Sequence, residues 1–188
     1  MASLPAAAPL TEEEYLTLER QALDKSEYHD GQMFAMAGGS PNHSFIQGAV
    51  FALLFRQAPP GCRAFTADLR IHLEVAKTYS YADCGIVCGD LEFSSTQKDN
   101  LLNPLLIVEV LSPSSQDYDR GKKFELYRTI ASFREYVVVH QDRWCIEHYS
   151  RQDDGSWLLR EYSGDGASVP IARLGIHLPL AEVYAATV

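Results

Sequence analysis

One carboxylate, Glu109, interrupts an otherwise apolar run, Leu105-Leu106-Ile107-Val108-Glu109-Val110-Leu111. A run of that kind reads as a strand buried on both faces. Burying an ionised carboxylate costs several kcal/mol unless a cation or strong donors meet it. Something positive is therefore expected opposite Glu109. Ser112-Pro113 stops the strand, and a helix rich in Lys and Arg follows. Upstream, Asp83 stands in Tyr81-Ala82-Asp83-Cys84-Gly85-Ile86-Val87, also at a strand and just ahead of an apolar stretch. Two carboxylates on neighbouring strands, with a strand carbonyl such as that of Val110, suit an oxygen-liganded Mg²⁺ or Mn²⁺. A third acid, Glu27, lies in a hairpin before the first long helix.

The elements that must position these acids can be read in order. Residues 1–10, Ala/Pro-rich, read as a disordered start. Thr11 and Glu14 form a capping box ahead of Tyr15, Leu18 and Ala22 at helical spacing. Ser26 to Met36 reads as a hairpin around Asp30-Gly31. Ser40-Pro41 opens a helix whose apolar face carries Phe45, Ile46, Ala49, Val50, Leu53 and Leu54. Strand-like runs follow at Arg63–Ala67, Leu69–Val75 and Tyr79–Val87, then the central strand at about 104–111. Asp117–Ile130 reads as an amphipathic helix with Phe124, Tyr127 and Ile130 inward. Arg134–Val139, containing EYVVV, reads as a buried strand, and Trp144–Tyr149 is expected to pair with Trp157–Tyr162 across Asp154-Gly155. LPLAEVY closes the chain in a short turn or helix. The expectation is one domain over residues 11–188, mixed α/β (α+β), with one central sheet flanked by helices.

At 188 residues the chain is long enough to bury a substantial core. No run approaches the ~18 apolar residues of a membrane span. MASLPAAAPL lacks the basic start and apolar segment of a secretory signal, so a cytoplasmic protein without a membrane partner is expected. Cys84 and Cys88, on one strand, are roughly 13 Å apart, too far to share a zinc ion or a disulfide. All four cysteines are accordingly read as free thiols. The net charge of −9 argues against non-specific nucleic-acid binding, although local basic patches can survive it.

Glu27-Tyr28-His29-Asp30-Gly31, Pro41-Asn42-His43, Tyr81-Ala82-Asp83, Ile107 to Ser114 and Asp119-Arg120-Gly121-Lys122-Lys123 with Tyr127 occur in an order and spacing that resembles the PD-(D/E)XK nuclease superfamily, and within it the Uma-type restriction endonuclease family. The resemblance spans roughly residues 11–184. It implies a restriction-endonuclease-like fold and a Mg²⁺- or Mn²⁺-dependent endonuclease acting on double-stranded DNA, with Asp83, Glu109, Glu27 and the Val110 carbonyl around the metal. The superfamily places a lysine two residues after the second acid. Here that residue is Leu111, and the resemblance shifts the role to Lys123, with Lys122 its neighbour. Ala82 replaces the usual proline, and Val137 and His140 stand where the family has Trp and Asp.

Each residue also has a plainer reading. Glu109 could be a structural acid paired with Lys123, Asp83 a strand-end cap, Glu27 an exposed hairpin acid, and Lys123 a solvated lysine. His43 is either site-lining or a surface histidine. Tyr127, one helical turn beyond Lys123, reads as core. Two function classes follow: a metal-dependent nuclease, or a non-catalytic nucleic-acid or protein-binding module on the same fold. A carboxylate-pair glycosidase fits less well, because such a pair does not call for the lysine helix. A homodimer through the hairpin bearing Trp144 and Trp157 would match two half-sites on a duplex.

Overall fold

The computed structural model describes residues 9–36, 38–94, 98–112 and 119–188. Most of the expected disordered start, Pro113 after the central strand, Ser114 of the family motif and the helix start at Asp117 lie outside those residues. Leu10 is tied down, its N–H donating to Gly31 O at 2.9 Å and its carbonyl accepting from Tyr28 Oη at 2.8 Å.

Helix α1 (Glu12–Glu19) carries the expected capping box, and the hairpin β1 (Ser26–His29) and β2 (Gln32–Ala35) turns through Asp30 and Gly31. Both turn residues have positive φ, 47° and 79°, which is why Asp-Gly occupies them. Helix α2 (Pro41–Gln57) starts on the Ser40 cap with proline in its first turn. Strands β3 (Cys62–Thr66), β4 (Arg70–Leu73), β5 (Thr78–Tyr81), β6 (Cys84–Cys88), β7 (Asn100–Leu101) and β8 (Pro104–Val110) follow. A single π-helical turn, Asp119–Lys123, runs into the short helix α3 (Phe124–Tyr127). Then come β9 (Glu135–Val139), the long hairpin β10 (Cys145–Arg151) and β11 (Trp157–Ser163), β12 (Ser168–Ile171), β13 (Ile176–Pro179) and α4 (Leu180–Val183).

The central sheet is mixed and six-stranded, in the order β11-β10-β9-β8-β6-β3, with β8 and β9 its parallel pair. The remaining strands form a second sheet, β2-β1-β5-β4-β7, and a ribbon, β12-β13. The run read as one strand over Tyr79–Val87 is therefore two. Its halves belong to different sheets, and the chain crosses between them at Ala82-Asp83.

Alternation along β8 decides which way the chemistry points. Leu106, Val108 and Val110 pack with Val137 and Val139 against Ile46, Val50, Leu53 and Leu54 of α2. Ile107 and Leu111 face the opposite side, with Tyr127, Tyr136 and Val138. Glu109 shares that second face, toward the π-helical turn and α3.

Cys62 lies directly opposite Cys88 across β3 and β6, and the two form a disulfide with a Cα–Cα distance of 4.0 Å. This corrects the expectation of four free thiols, which weighed separations along one strand and not pairing between strands. Cys84 and Cys145 are free and buried. Gly85, two residues after Asp83, lets β6 approach β8. A Cβ there would stand 2.4 Å from Leu106 O and 2.5 Å from the Phe65 ring. Because backbone is one of the two obstacles, Gly85→Ala is expected to cost about 3 kcal/mol, read as a lower urea midpoint at unchanged slope. A midpoint equal to wild type would show that the strands can separate freely.

Candidate active site

Glu109 is 3% exposed, and its Oε1 receives Lys123 Nζ at 2.9 Å and Tyr127 Oη at 2.9 Å. The cation demanded by a buried strand carboxylate is thus Lys123, from the helix and not from the strand. Tyr127 lies at the base of the site and orients the acid, consistent with its reading as core. Lys123 also donates to Tyr81 O at 3.1 Å and stands 3.3 Å from Glu27 Oε1 and 3.9 Å from Asp119 Oδ1. Burial pushes the Glu109 carboxyl well up; Lys123 opposes this, and the charges of Asp119 and Asp83 reinforce it. Burial alone would pull Lys123 down, but Glu109 and then Glu27 outweigh it and hold the ammonium well above the ordinary lysine range. One cation is thus shared among three acids, Glu109, Glu27 and Asp119.

Asp83 reaches across from the sheet crossing. Its Oδ2 accepts from Val110 N at 2.7 Å and lies 3.4 Å from His43 Nε2, while its carbonyl accepts from Gln47 Nε2 at 2.9 Å. The bond to Asp83 raises the His43 pKa, against the opposing effect of burial. Glu27 Oε1 accepts from Ser80 Oγ at 2.6 Å and Tyr81 N at 3.1 Å. Ser80 Oγ is 3.1 Å from Tyr127 Oη, so the two hydroxyls lie side by side between Glu27 and Glu109. Each acid thus commits one oxygen to the protein. Among the described residues the second oxygens, Asp83 Oδ1, Glu109 Oε2 and Glu27 Oε2, accept no hydrogen bond.

A cleft of about 420 Å³ opens over this group, lined by Glu27, His43, Asp83, Glu109, Val110 and Lys123 together with Asp119 and Gln141. The donors are hard oxygens, which suit Mg²⁺ or Mn²⁺ better than a soft metal. No three His, Cys, Asp or Glu side chains among the described residues are disposed as a metal-binding group. Asp83 and Glu109 each leave one oxygen uncommitted, and one or two carboxylates with several waters are the donor set that an ion of the Mg²⁺ type commonly takes.

A family model described as "Uma2: Putative restriction endonuclease" matches residues 12–181. The chain belongs to the Uma2 family. Among its relatives are the uncharacterized proteins slr1290 and sll1609 of Synechocystis sp. (strain ATCC 27184 / PCC 6803 / Kazusa). The first is 35% identical over 176 residues, covering 93% of this chain and 91% of its own. The second is 33% identical over 168 residues, covering 89% and 95%. A crystal structure of "a putative nuclease belonging to DUF820" from Anabaena variabilis ATCC 29413 superposes with a TM-score of 0.74. It is 19% identical and covers 94% of this chain and 98% of that one, so the likeness is one of fold.

Within this Uma2 domain the anticipated residues divide clearly. Asp83, Glu109, Glu27, Lys123, His43 and Val110 meet at the cleft. Lys122 does not; it is exposed and pairs with Glu125 at 3.5 Å. Asp119 is 4% exposed and lines the cleft, a contributor absent from the residues expected there. Its position one helical turn before Lys123 was the available signal. Ser80 carried no such signal, because its role depends on how β5 lies against β1. Phe34, half exposed, is the cross-strand partner of Glu27 and forms an apolar wall of the cleft.

The π-helical turn carrying Asp119 and Lys123 is anchored on its other side. Arg120 Nη2 contacts Glu147 Oε1 and lies 2.8 Å from His140 Nε2, while Tyr149 Oη donates to Glu147 at 2.9 Å. Burial pushes the Glu147 carboxyl up, but bonds from His140, Tyr149 and Arg120 outweigh it and leave the pKa below the ordinary carboxylate value. A depressed folded pKa contributes stability above the unfolded value and loses it as pH falls through the folded one. Wild type should therefore lose its advantage over Glu147→Gln on acidification, the two urea midpoints converging at low pH. A constant difference across the acid range would show that ionisation of Glu147 is not involved.

Proposed function

We propose that this protein is a metal-dependent endonuclease that hydrolyses phosphodiester bonds in DNA. The observation that carries the reading is the convergence of Asp83, Glu109, Glu27 and Lys123, drawn from four separate elements, on one cleft. Asp83 and Glu109 would hold Mg²⁺ or Mn²⁺ with the Val110 carbonyl, and Glu27 would contribute directly or through water. The ion, when bound, would lower the pKa of a water molecule and polarise the scissile phosphate. Lys123 supplies a fixed positive charge for the negative charge that develops at phosphorus, and burial strengthens its effect. Tyr127 and Ser80 hold Glu109 and Glu27 in place by hydrogen bonds, so little reorganisation is needed when substrate arrives. His43 fixes the Asp83 carboxylate together with the Val110 N–H.

One observation favours a second reading, a non-catalytic nucleic-acid or protein-binding module. Lys123 already neutralises part of the acid cluster, as it would in a purely structural ion-pair network. The two part on a simple assay: purified protein with Mn²⁺ should cut DNA, with no cleavage in excess chelator. If no DNA or RNA of any sequence is cut while a related active control works, the enzyme reading fails and the binding module stands.

The protein is further proposed to act in the cytoplasm on duplex DNA as a homodimer. Among the described residues no helix is long and apolar enough to cross a membrane. Trp157 is less available for the dimer contact than its hairpin position suggested, since it packs 5.1 Å from both Phe124 and Phe133. Trp144, Leu158 and Leu159 remain exposed on or beside the hairpin. Light scattering at micromolar concentration should return twice the chain mass; a monomeric mass would end the dimer proposal.

A further inference from the structure

At the opposite end of the central sheet from the catalytic cleft lies a concavity of about 380 Å³, a volume typical of small-molecule sites. It is lined by Arg134, Arg151 and Arg173 together with Gln152, Asp153 and Gly155. Arg134 immediately precedes β9 and Arg151 ends β10, and the Arg151 N–H donates to Arg134 O at 2.8 Å, which brings the two side chains to one rim. Arg173, in the turn after β12, reaches the same rim, its Nε 3.4 Å from Glu135 Oε1. From Leu106 opposite Glu135 to Val110 opposite Val139, roughly 13 Å of parallel strand separates this rim from the catalytic acids.

The charge is unusual for this chain, which carries 25 acidic residues against 16 basic ones. Three guanidiniums gather here against two carboxylates, those of Glu135 and Asp153. Glu135, the acid beside Arg173, is buried and shared with His148 Nε2 at 2.8 Å. Arg134 spends its Nη1 on two neutral carbonyls, Ala131 O and Phe133 O. Among the described residues the Arg151 guanidinium has no hydrogen bond or ion pair. Asp153 offers one carboxylate at the rim. Burial, then the charges of Arg151 and Arg173, pull Arg134 below the ordinary arginine range, as expected when like charges share a partly buried space.

We propose that this concavity is a second binding site, for a phosphoryl group, separate from the catalytic cleft. Guanidinium forks match phosphate oxygens in pairs, and three of them around one hollow can receive a dianion from several directions. A bound anion would relieve the mutual repulsion of the arginines. The group could come from free inorganic phosphate or from the phosphorylated end of a nucleic-acid strand, and the chemistry of recognition is the same. The inference does not rest on the nuclease reading and survives its failure.

Isothermal titration of the whole protein in chloride buffer, without divalent metal, tests it. Inorganic phosphate is expected to bind below about 10 mM, and Arg151→Gln or Arg173→Gln to weaken binding by about tenfold or more. Arg160→Gln, on the exposed hairpin strand β11, should leave it unchanged. Misfolding of one rim variant would leave the other to report the loss. Short oligonucleotides with and without a 5′-phosphate then separate the sources. Tighter binding of the phosphorylated form assigns the site to strand ends, and equal binding assigns it to free phosphate. No binding of inorganic phosphate, or equal weakening by Arg160→Gln and the two rim variants, overturns the proposal.

Discussion

Glu109→Gln is expected to remain folded and to lose at least about a thousandfold in DNA cleavage with Mg²⁺ or Mn²⁺. Glutamine keeps the shape of the side chain, and its Oε1 can still accept from Tyr127. What it removes is the negative charge that would hold a divalent ion. Burial already disfavours that charge, as the raised Glu109 pKa indicates. Lys123 is not stranded by the change, because Tyr81 O at 3.1 Å and Glu27 at 3.3 Å remain. Metal-free stability should therefore stay level or rise by about 1 kcal/mol, while the rise in melting temperature with Mg²⁺ disappears. Activity and metal-free stability falling together would instead identify Glu109 as half of a structural ion pair. Retained cleavage would remove it from the chemistry.

Lys123→Ala should be the most destabilising change in the site, by about 3–5 kcal/mol. It takes the shared cation from Glu109 and Glu27, both of which keep limited access to water. A lysine displaced from the strand could have been expected to be dispensable for folding; buried among several acids, this one is not. Two measurements separate this from a simple packing defect. Mg²⁺ should raise the melting temperature of Lys123→Ala more than that of wild type, since a cation again enters the acid cluster. Combining Lys123→Ala with Glu109→Gln should recover part of the loss, because a neutral partner no longer needs the ammonium. Additive losses, or no differential effect of Mg²⁺, would refute the charge argument. Lys122→Ala should shift stability by no more than about 0.5 kcal/mol, its pair with Glu125 being exposed.

Much of the architecture was legible in the chain. The capping box at Thr11, the Asp30-Gly31 turn and the Ser40-Pro41 helix start are local signals that local geometry satisfies without help from elsewhere. The apolar run around Glu109 predicted both a buried strand and a cation opposite it, because an unpaired buried carboxylate is too costly to keep. Order and spacing of the motifs around these acids also indicated the Uma2 family, which the match over residues 12–181 shows.

What the sequence could not determine depends on pairing between distant segments. Nothing local reveals that the chain changes sheets at Asp83, since Tyr79–Val87 is continuously strand-like. Only the crossing aims that acid at Val110 N. The Cys62–Cys88 bond follows from the register of β3 on β6, and a strand's register is set by partners it meets after folding. Ser80 joins the site for the same reason. Lys122 and Lys123 are chemically identical neighbours, and one residue of helical rotation, about 100°, places Lys123 among the acids and leaves Lys122 in solvent. The residue types and their order were set by sequence. Which oxygen faces which nitrogen was decided by how two sheets and one helical turn pack together, because hydrogen bonds and ion pairs depend on distances that only the folded chain fixes.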